Sequence, residues 1–397
     1  MKFVVAGYGS RGDVEPCAAA ALELLRRGHD VRMAVPPNML GFIESAGLAG
    51  VAYGPDSREE MNSASDLVRN LLPKMKNPIS VVPEVVEHVT QVKVEKGATL
   101  TSLANRADLV LAGFNEQGLA ANVAEYYGIP VVALHPFPER VWSSMWMFSR
   151  MTKVAEDTQR RALGLPEATG TSPRPLEIQA YDELCLPGPA ADWAEQGGRK
   201  PFVGALTLEL PTDADEEVLS WIAAGTPPIY FGFGSTPISS PIETVAVITA
   251  ACAQLGERAL ICSGPNDFTH VAQFDHVKIV DAVNHAALFP ACRAVVHHGG
   301  AGTTAAGLRA GIPTLILFAV WLDQPIWAAA VEQLEVGSGR RFSESTLDTL
   351  IADLRLILTP RYASRAREVA TKMTKPAESL ANTADLLEDA GRQGLEG

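Results

Sequence analysis

Residues 2–16 read KFVVAGYGSRGDVEP, in which a β-branched run precedes three glycines in the spacing G-x-G-x-x-G. The run predicts a buried strand over residues 3–6, and the small residues that follow predict a helix from Pro16 to Arg27. A second strand pattern covers residues 29–35. Strand, helix and strand in this order form a βαβ unit, so the stretch predicts a parallel sheet with crossover helices.

The second half of the chain repeats this plan. Residues 229–235, IYFGFGS, are similar to residues 3–10, FVVAGYGS, and a helix pattern and a strand pattern at 259–262 follow them. Between the two copies, residues 108–111 and 130–134 predict further strands. The sequence therefore predicts two Rossmann-like, doubly wound α/β domains that face each other, with ligands bound at the carboxyl ends of the strands in the intervening cleft.

The 397-residue length also favours two domains. A stretch rich in Pro, Gly and acidic residues precedes the second copy and is typical of a linker, and the end of the chain has the period of an amphipathic helix. We expect this last helix to pack back on the N-terminal domain. The predicted parts are an N-terminal domain at 1–205, a linker at 206–225, a C-terminal domain at 226–375 and the final helix at 376–397.

The composition excludes several classes of partner. The 46 acidic residues outnumber the 33 basic ones, giving a net charge of -13, and no Lys/Arg run is present, which argues against nucleic-acid binding. The five cysteines are widely spaced without C-x-x-C, so neither a disulfide framework nor a zinc knuckle is indicated. Neither a signal peptide nor a membrane-spanning run is apparent, and we expect a cytoplasmic protein.

The first glycine motif raises the question of a dinucleotide cofactor. That fingerprint requires Asp or Glu about 20 residues further on, at the end of the second strand. Here the strand ends in Val-Pro-Pro-Asn at residues 35–38. Arg11 and Asp13 also lie where bare main-chain amides should face a pyrophosphate. The sequence therefore disfavours a nicotinamide or flavin, and we expect no cofactor.

A stronger anion-binding signal lies at residues 294–325, AVVHHGGAGTTAAGLRAGIPTLILFAVWLDQP. A strand that ends at His297 runs into a glycine-rich turn and then a helix, so several main-chain N–H groups and the helix dipole can act on one anion. His297 and the hydroxyls of Thr303 and Thr304 would add donors for a diphosphate. The alternative is a merely tight strand-to-helix turn.

Asp323 and Gln324 follow the next predicted strand, at residues 314–318. One interpretation is that they cap the helix that begins near Pro325. The other is that a carboxylate and an amide, one strand away from the glycine-rich turn, hold the hydroxyls of a sugar.

Residues 213–215, Asp-Ala-Asp, match the D-x-D of metal-dependent transferases. Because they lie in the acidic segment PTDADEE with no strand before it, we expect a solvated segment and no metal site.

Residues 135–153, HPFPERVWSSMWMFSRMTK, place Trp142 and Trp146 on one face at helical spacing. A core-facing helix is one interpretation. The alternative is an apolar lip that receives a lipid-linked or peptidic acceptor, or that rests on a membrane surface.

Three motifs together carry a family resemblance: GSRGDVEP at 9–16, HHGGAGTT at 297–304 and DQP at 323–325. In this order they resemble the inverting GT-B glycosyltransferases of glycopeptide-antibiotic biosynthesis, and more closely the actinobacterial and mycobacterial enzymes of glycopeptidolipid type, over essentially the whole chain. The resemblance implies metal-independent transfer of a hexose or deoxyhexose, such as rhamnose, from a dTDP- or UDP-sugar to a hydroxyl of a peptide or lipid natural product.

The resemblance also implies roles for individual residues. In the C-terminal domain it implies a diphosphate site at Ser235, His297, Gly300, Ala301, Gly302 and Thr303, a base contact at Val283, and a sugar contact at Asp323 and Gln324. In the N-terminal domain Asp13 is the candidate base, Ser10 would orient the acceptor and Arg11 would reach the diphosphate. Many related plant and macrolide-modifying enzymes have a histidine at the place of Asp13, and helix capping is the alternative role for this residue. A nucleotide-sugar epimerase and a non-catalytic nucleotide-sugar or glycolipid-binding protein remain alternatives for the whole chain.

Overall fold

The computed structural model describes residues 1–66, 82–138, 146–167, 176–186, 199–236, 238, 240–268, 274–319 and 323–396. The chain forms two compact units. Unit 1 comprises Met1–Ala180, Gly188–Leu208 and Pro376–Gly397, and unit 2 comprises Tyr181–Pro187 and Glu209–Lys375. Each unit contains a six-stranded parallel sheet with helices, which confirms the predicted α/β fold class. None of the described helices is both long enough and apolar enough to cross a membrane.

The sheet of unit 1 has the strand order β3-β2-β1-β4-β5-β6, and all neighbours are parallel. Its strands are β1 (Lys2–Ala6), β2 (Asp30–Val35), β3 (Gly50–Ala52), β4 (Leu109–Ala112), β5 (Val131–His135) and β6 (Leu176–Gln179). Its helices are α1 (Arg11–Arg26), α2 (Leu40–Ser45), α3 (Ser57–Asp66), α4 (Val82–Leu103), α5 (Gln117–Tyr127), α6 (Trp146–Ala162) and, at the end of the chain, α14 (Pro376–Glu396).

The sheet of unit 2 has the order β12-β11-β10-β7-β8-β9, again with parallel neighbours. Its strands are β7 (Ile229–Gly232), β8 (Ala259–Cys262), β9 (Val277–Val280), β10 (Ala294–His297), β11 (Thr314–Phe318) and β12 (Gly337–Arg341). Its helices are α7 (Asp215–Ala223), α8 (Pro241–Leu255), α9 (His285–Leu288), α10 (Ala301–Ala310), α11 (Gln324–Gln333), α12 (Leu347–Ile357) and α13 (Pro360–Ala370). Helix α7 lies within the segment predicted as a linker.

The central strands are buried on both faces. In unit 2, Phe231 and Val296 belong to the core on one side of the sheet, whereas Tyr230 and Val295 belong to the core on the other side. Strands covered on both faces read as continuous apolar runs rather than as alternating patterns. This explains why the runs at 259–262, 294–297 and 314–318 matched the observed strands to the residue.

The start of the first helix differs from the prediction. Helix α1 begins at Arg11, five residues before Pro16, because Ser10 and Asp13 form a capping box. The Ser10 main-chain N–H donates to Asp13 Oδ2 at 2.8 Å, and the Ser10 hydroxyl donates to the same oxygen at 2.9 Å. A capping box satisfies donors that are otherwise unpaired at the start of a helix, so the helix extends back to the glycine motif.

Helix α14 packs against α1 in unit 1. Its Asp385 accepts a hydrogen bond from Arg27 Nη1 at 2.6 Å, and Glu388 Oε1 lies 2.9 Å from His29 Nε2. The hydrogen bond with His29 lowers the pKa of Glu388, and Arg27 adds to this effect. The interaction therefore stabilises the folded state above the unfolded pKa of the carboxyl group, and the stabilisation is lost as the pH falls through the lowered folded value.

We expect Glu388→Gln to reduce the free energy of unfolding by about 1 kcal/mol at pH 7, because the group loses its charged hydrogen bonds to His29 and Arg27. The difference from the unsubstituted protein should disappear once the pH is below the lowered folded pKa of Glu388, because the carboxyl group is then protonated in both states. Urea unfolding followed at both pH values measures this. Asp389→Asn is the matched control, since Asp389 pairs with the exposed Arg392 alone among the described residues. Equal losses for the two variants would contradict the prediction.

Candidate active site

In unit 2 the chain first adds strands on one side of β7 and then, from β10 onward, on the other side. From β7 it proceeds outward to β8 and β9, and it then returns to β10 and proceeds the other way to β11 and β12. His297, the last residue of β10, is in register with Gly232, the last residue of β7. The loops after these two adjacent strands therefore flank a topological switch point, the place where doubly wound sheets bind their ligands.

Helix α10 offers free main-chain donors at this switch point. Gly300 is its N-cap with extended backbone, and the first N–H bonded within the helix start is that of Thr304, to the Gly300 carbonyl. The N–H groups of Ala301, Gly302 and Thr303 are the first donors of the helix and have no acceptor within it. The helix dipole adds partial positive charge at the same place. The predicted glycine-rich turn therefore has the geometry of an anion site.

The two threonines of the turn differ in what they can contribute. Thr303 is half-buried, whereas Thr304 is buried and its hydroxyl donates to the Gly300 carbonyl at 2.9 Å. The expectation that both hydroxyls face a diphosphate is therefore wrong for Thr304, because its side chain is turned into the helix.

His297 is held in one tautomer. Its Nδ1 accepts a hydrogen bond from the Gly299 N–H at 3.0 Å, so Nδ1 carries no proton. Burial, with the neighbouring His298 and His285, lowers the pKa of His297 well below the ordinary value, so the ring is neutral and its proton lies on Nε2. This Nε2 is buried and has no hydrogen-bond partner among the described residues. An unsatisfied buried donor costs about 1–3 kcal/mol, and the oxygen of an anion would relieve that cost.

His298 organises the two loops at the switch point. Gly234 has φ +58°, and a Cβ there would overlap the His298 ring; a Cβ at Gly300 would lie 2.6 Å from His298 Nε2. The ring therefore fits between the two turns only because both residues are glycine. Burial lowers the pKa of His298 to about 4, so it acts as a neutral spacer at pH 7. The paired histidines were noticed in the sequence, but this role of the second one was missed. Ser235, which follows Gly234, is exposed.

Asp323 and Gln324 lie at the carboxyl end of β11, next to β10. Asp323 Oδ2 accepts from Trp327 Nε1 at 3.1 Å, and its side chain makes no hydrogen bond that caps α11. Gln324 is buried, and its Oε1 accepts from the Ala319 N–H at 2.8 Å. A Cβ at Gly299 would lie 3.1 Å from Gln324 Cβ, so the pair is adjacent to the turn after β10. Asp323 occupies the N-cap position of α11, as the capping interpretation expects, but its side chain makes no cap hydrogen bond, and Gln324 is the first residue of the helix.

The predicted base neighbour Val283 lies in the loop after β9. Its side chain is buried in the core of unit 2, so the main chain of this loop is what remains available to a ligand.

Asp215 of the D-x-D motif is also buried, and its carboxylate accepts from the N–H of Thr212 at 2.8 Å and of Asn284 at 2.9 Å. The expectation of a solvated segment is therefore wrong for Asp215. Within the described ranges, no group of three or more His, Cys, Asp or Glu is arranged to hold a metal.

The glycine motif of unit 1 is already occupied by a carboxylate of the chain. A Cβ at Gly9 would overlap the Asp13 carboxylate, which also receives both hydrogen bonds from Ser10. The N–H and the hydroxyl of Ser10 therefore both have Asp13 as their acceptor. Burial raises the pKa of Asp13, against the opposing effect of the Ser10 hydrogen bonds. Both bonds are made to Oδ2, and a half-buried carboxylate of raised basicity is suited to accept a proton.

Arg11 is engaged on the surface of the same helix. It pairs with Glu15 at 2.7 Å and lies over the Phe42 ring at 4.9 Å from the centroid.

The candidate acceptor residue Trp142 lies outside the described residues, and so does the side chain of Trp146, at which α6 begins. Their predicted roles remain predictions.

The turn that precedes α1, residues 7–10, contacts three other segments of the chain. Ser57 Oγ donates to the Gly9 carbonyl at 2.6 Å, and Asn115 Nδ2 donates to the Tyr8 carbonyl at 3.0 Å. The Tyr8 ring lies 3.7 Å from the Lys96 ammonium. Because these contacts span large sequence separations, no local pattern predicted them.

Lys96 belongs to a buried ion pair. Its Nζ donates to Glu116 Oε1 at 2.6 Å, and Tyr53 OH donates to the other oxygen of Glu116 at 2.5 Å. All three side chains are buried. Burial lowers the pKa of Lys96, and Glu116 opposes that effect. Glu116 is thus the buried hydrogen-bond partner of the amino group that lies against the Tyr8 ring.

Two family models match the two halves of the chain. The glycosyltransferase family 28 N-terminal domain matches residues 3–144, and the erythromycin biosynthesis protein CIII-like C-terminal domain matches residues 260–386. An uncharacterized glycosyltransferase of Mycobacterium bovis is 59% identical, over 99% of this chain and 100% of that protein. The chain belongs to this family of glycosyltransferases, which confirms the resemblance found in the sequence.

More distant proteins share the same architecture. A sterol 3-beta-glucosyltransferase of Arabidopsis thaliana is 29% identical over 97% of this chain and 67% of that protein. The solved structure of the spinosyn rhamnosyltransferase SpnG complexed with thymidine diphosphate has 18% identity and a TM-score of 0.70, covering 97% of this chain and 100% of that one. The fold is therefore GT-B, and the protein is an enzyme of sugar transfer.

We expect Glu116→Gln to reduce the free energy of unfolding by about 3–5 kcal/mol, because it leaves the Lys96 ammonium buried without its counter-charge. The double variant Lys96→Met with Glu116→Gln should regain a large part of this loss, since no buried charge is then unpaired. Urea unfolding of the two single variants and the double variant gives the coupling between them. Arg361→Gln, which breaks the exposed pair with Glu335, should leave stability unchanged. A double variant that loses the sum of the two single losses would contradict the prediction.

Proposed function

We propose that the protein transfers a hexose or deoxyhexose, such as rhamnose, from a dTDP- or UDP-sugar to a hydroxyl of a peptide or lipid natural product, with inversion and without a metal. The observation that carries the proposal is the turn at the switch point of unit 2: the first amides of α10 have no acceptor within the helix, and His297 Nε2, at the end of β10, has no hydrogen-bond partner among the described residues. Two linked phosphates offer several oxygens to such donors. Ser235, Gly300, Ala301, Gly302 and Thr303 are the further diphosphate residues of the proposal.

The strand order of unit 2 supports the orientation of the donor. The loop with Asp323 and Gln324 follows β11, on one side of the switch point, and the loop with Val283 follows β9, on the other side. All these loops lie at the carboxyl edge of one parallel sheet. Placed along that edge, the donor has its sugar over β11, its diphosphate over β10 and β7, and its base toward β9.

The choice of nucleotide and acceptor draws on the similar proteins. The SpnG structure, a rhamnosyltransferase by its description, contains thymidine diphosphate, which supports a dTDP-linked deoxyhexose. The Arabidopsis relative is a sterol glucosyltransferase, which supports a lipid acceptor. We assign the acceptor to unit 1, where Asp13 lies, and place the apolar side of the acceptor, or a membrane surface, near Trp142 and Trp146.

The proposed step is a single displacement. The acceptor oxygen forms a bond to C1 of the sugar while the bond from C1 to the diphosphate oxygen breaks. The hydroxyl proton passes to the Asp13 carboxylate, and the negative charge of the leaving group is taken up by the amides of residues 301–303 and by His297 Nε2–H. The protonated Asp13 then returns its proton to solvent.

Calorimetric titration with dTDP, UDP, GDP and NAD tests the donor site. We expect dTDP or UDP to bind and NAD not to bind. His297→Ala should weaken the binding of the preferred nucleotide by about tenfold or more, because a hydrogen bond to a charged oxygen is lost. His276→Ala, in the same unit, is the matched control and should bind normally. Binding of NAD with no response to dTDP, UDP or GDP would contradict the proposal.

Asp13→Asn tests the base. The amide oxygen of asparagine can still accept from the Ser10 N–H and hydroxyl, so the cap is retained while the proton acceptor is lost. We expect the transfer rate to fall by about 10²–10⁴-fold with nucleotide affinity unchanged. In the unsubstituted enzyme the rate should decline on the acid side at a pH above the ordinary range of an aspartate, because burial raises the pKa of Asp13.

The exposed Asp30 provides the control for this substitution, since Asp30→Asn is a change of the same kind at the start of β2. It should transfer at the normal rate. If Asp13→Asn transfers as well as Asp30→Asn, Asp13 is a capping residue alone.

A further inference from the structure

The proposed transfer uses neither aspartate of the D-x-D motif. Asp213 is exposed, whereas Asp215, two positions later, is 8% exposed and lies at the start of α7. The Asp215 carboxylate accepts three hydrogen bonds: from the Thr212 N–H at 2.8 Å, the Thr212 hydroxyl at 2.8 Å and the Asn284 N–H at 2.9 Å. The bond to Asn284 joins positions 69 residues apart and fastens the start of α7 to the loop after β9.

This loop, residues 281–284, begins directly after the outermost strand of the sheet. On its inner side Asp281 Oδ1 accepts from the Ser263 hydroxyl at 3.1 Å, and the Asp281 carbonyl accepts from the Gly264 N–H at 3.1 Å. β9 is the edge strand of the sheet, so no further described strand supports the other side of the loop. On that side the Asp215 carboxylate accepts a hydrogen bond from the Asn284 N–H and so supports the main chain of the loop.

The fastened loop has a defined conformation. Asn284 Oδ1 accepts from the Ala286 N–H at 3.1 Å and caps the short helix α9, while the Val283 side chain is anchored in the core. A rigid loop of this kind presents its main-chain groups in fixed directions. Loss of the Asp215 bond would free the Asn284 N–H and the start of α9, and the presented groups would shift.

The position of the loop fits the nucleoside part of a donor. It lies at the carboxyl edge of β9, two strands away from β7, which corresponds to about 10 Å along the sheet. This is comparable with the reach of a nucleoside from its diphosphate. On the opposite side of the switch point, the loop after β11 is left for the sugar.

We propose that Asp215 is a positioning residue for nucleotide recognition, which fixes loop 281–284 so that its main chain can bind the base and ribose of the donor. The proposal rests on the proposed function, because it requires that unit 2 binds a nucleoside diphosphate. It assigns to the D-x-D motif a role in shaping the nucleoside site and no role in holding a metal.

Two ligands distinguish a role of Asp215 in nucleoside binding from a role in the stability of the whole unit. dTDP contacts both the diphosphate turn and the loop, whereas inorganic pyrophosphate has no nucleoside and contacts the turn only. The affinity for dTDP is measured by calorimetry, and that for pyrophosphate by its competition with dTDP. Asp215→Ala removes all three hydrogen bonds, Asp215→Asn keeps an oxygen that can accept from Asn284, and Asp213→Ala is the matched control in the same motif.

We expect Asp215→Ala to weaken dTDP binding by about tenfold or more, since a charge-assisted hydrogen bond that orders the loop is lost. Pyrophosphate binding should remain unchanged, Asp215→Asn should be intermediate, and Asp213→Ala should match the unsubstituted protein. Equal losses of dTDP and pyrophosphate affinity would overturn the proposal, because Asp215 would then support the whole unit. Unchanged dTDP affinity in Asp215→Ala would overturn it as well. Failure of the unsubstituted protein to bind dTDP or UDP would instead overturn the proposed function.

Discussion

The close approach of two glycine turns to one neutral histidine ring is the constraint on which the site of unit 2 depends. β7 and β10 are neighbours in the sheet, so the loops that follow them compete for the same space. The His298 ring fills the gap, and it fits because neither Gly234 nor Gly300 has a side chain. The His298 ring thus keeps the two loops apart at the start of α10, where the first amides have no acceptor within the helix. Burial lowers the pKa of His298 to about 4, so the ring between the loops is neutral at pH 7.

The glycine turns after β1 in unit 1 and after β10 in unit 2 both lead into a helix, and they differ in what lies at the start of that helix. In unit 2 the first amides of α10 have no acceptor within the helix, which is the arrangement that binds an anion. In unit 1 the Asp13 carboxylate occupies the corresponding place and satisfies the Ser10 N–H from within the chain. A pyrophosphate cannot share that place with a carboxylate. The G-x-G-x-x-G spacing at the start of the chain is therefore a fold element, and the Asp13 carboxylate at the third position of α1 takes the place that an anion would occupy.

The sequence was sufficient for the fold and for part of the site, for reasons that individual residues illustrate. Buried parallel strands are continuous apolar runs, so the strands at 259–262, 294–297 and 314–318 could be predicted directly. The start of α1 was misplaced because Pro16 resembles a helix boundary, whereas the capping box of Ser10 and Asp13 decides it. The pairing of Lys96 with Glu116 and of Asp215 with Asn284 was not predictable, because each depends on which residues the sheet order brings together. An acidic segment likewise does not reveal which of its carboxylates is buried.

The titratable groups of the candidate site differ between the two units. The donors of the unit 2 turn are main-chain amides and a histidine whose pKa lies well below the ordinary value, so none of them changes charge near neutral pH. A sugar joined to a diphosphate also keeps a constant charge in that range. The proposed donor binding by this turn is therefore expected to be insensitive to pH near neutrality, whereas burial raises the pKa of the Asp13 carboxyl group in unit 1. If Asp13 accepts the proton of the acceptor as proposed, a decline of the transfer rate in mild acid that leaves donor affinity unchanged is the result expected from this group.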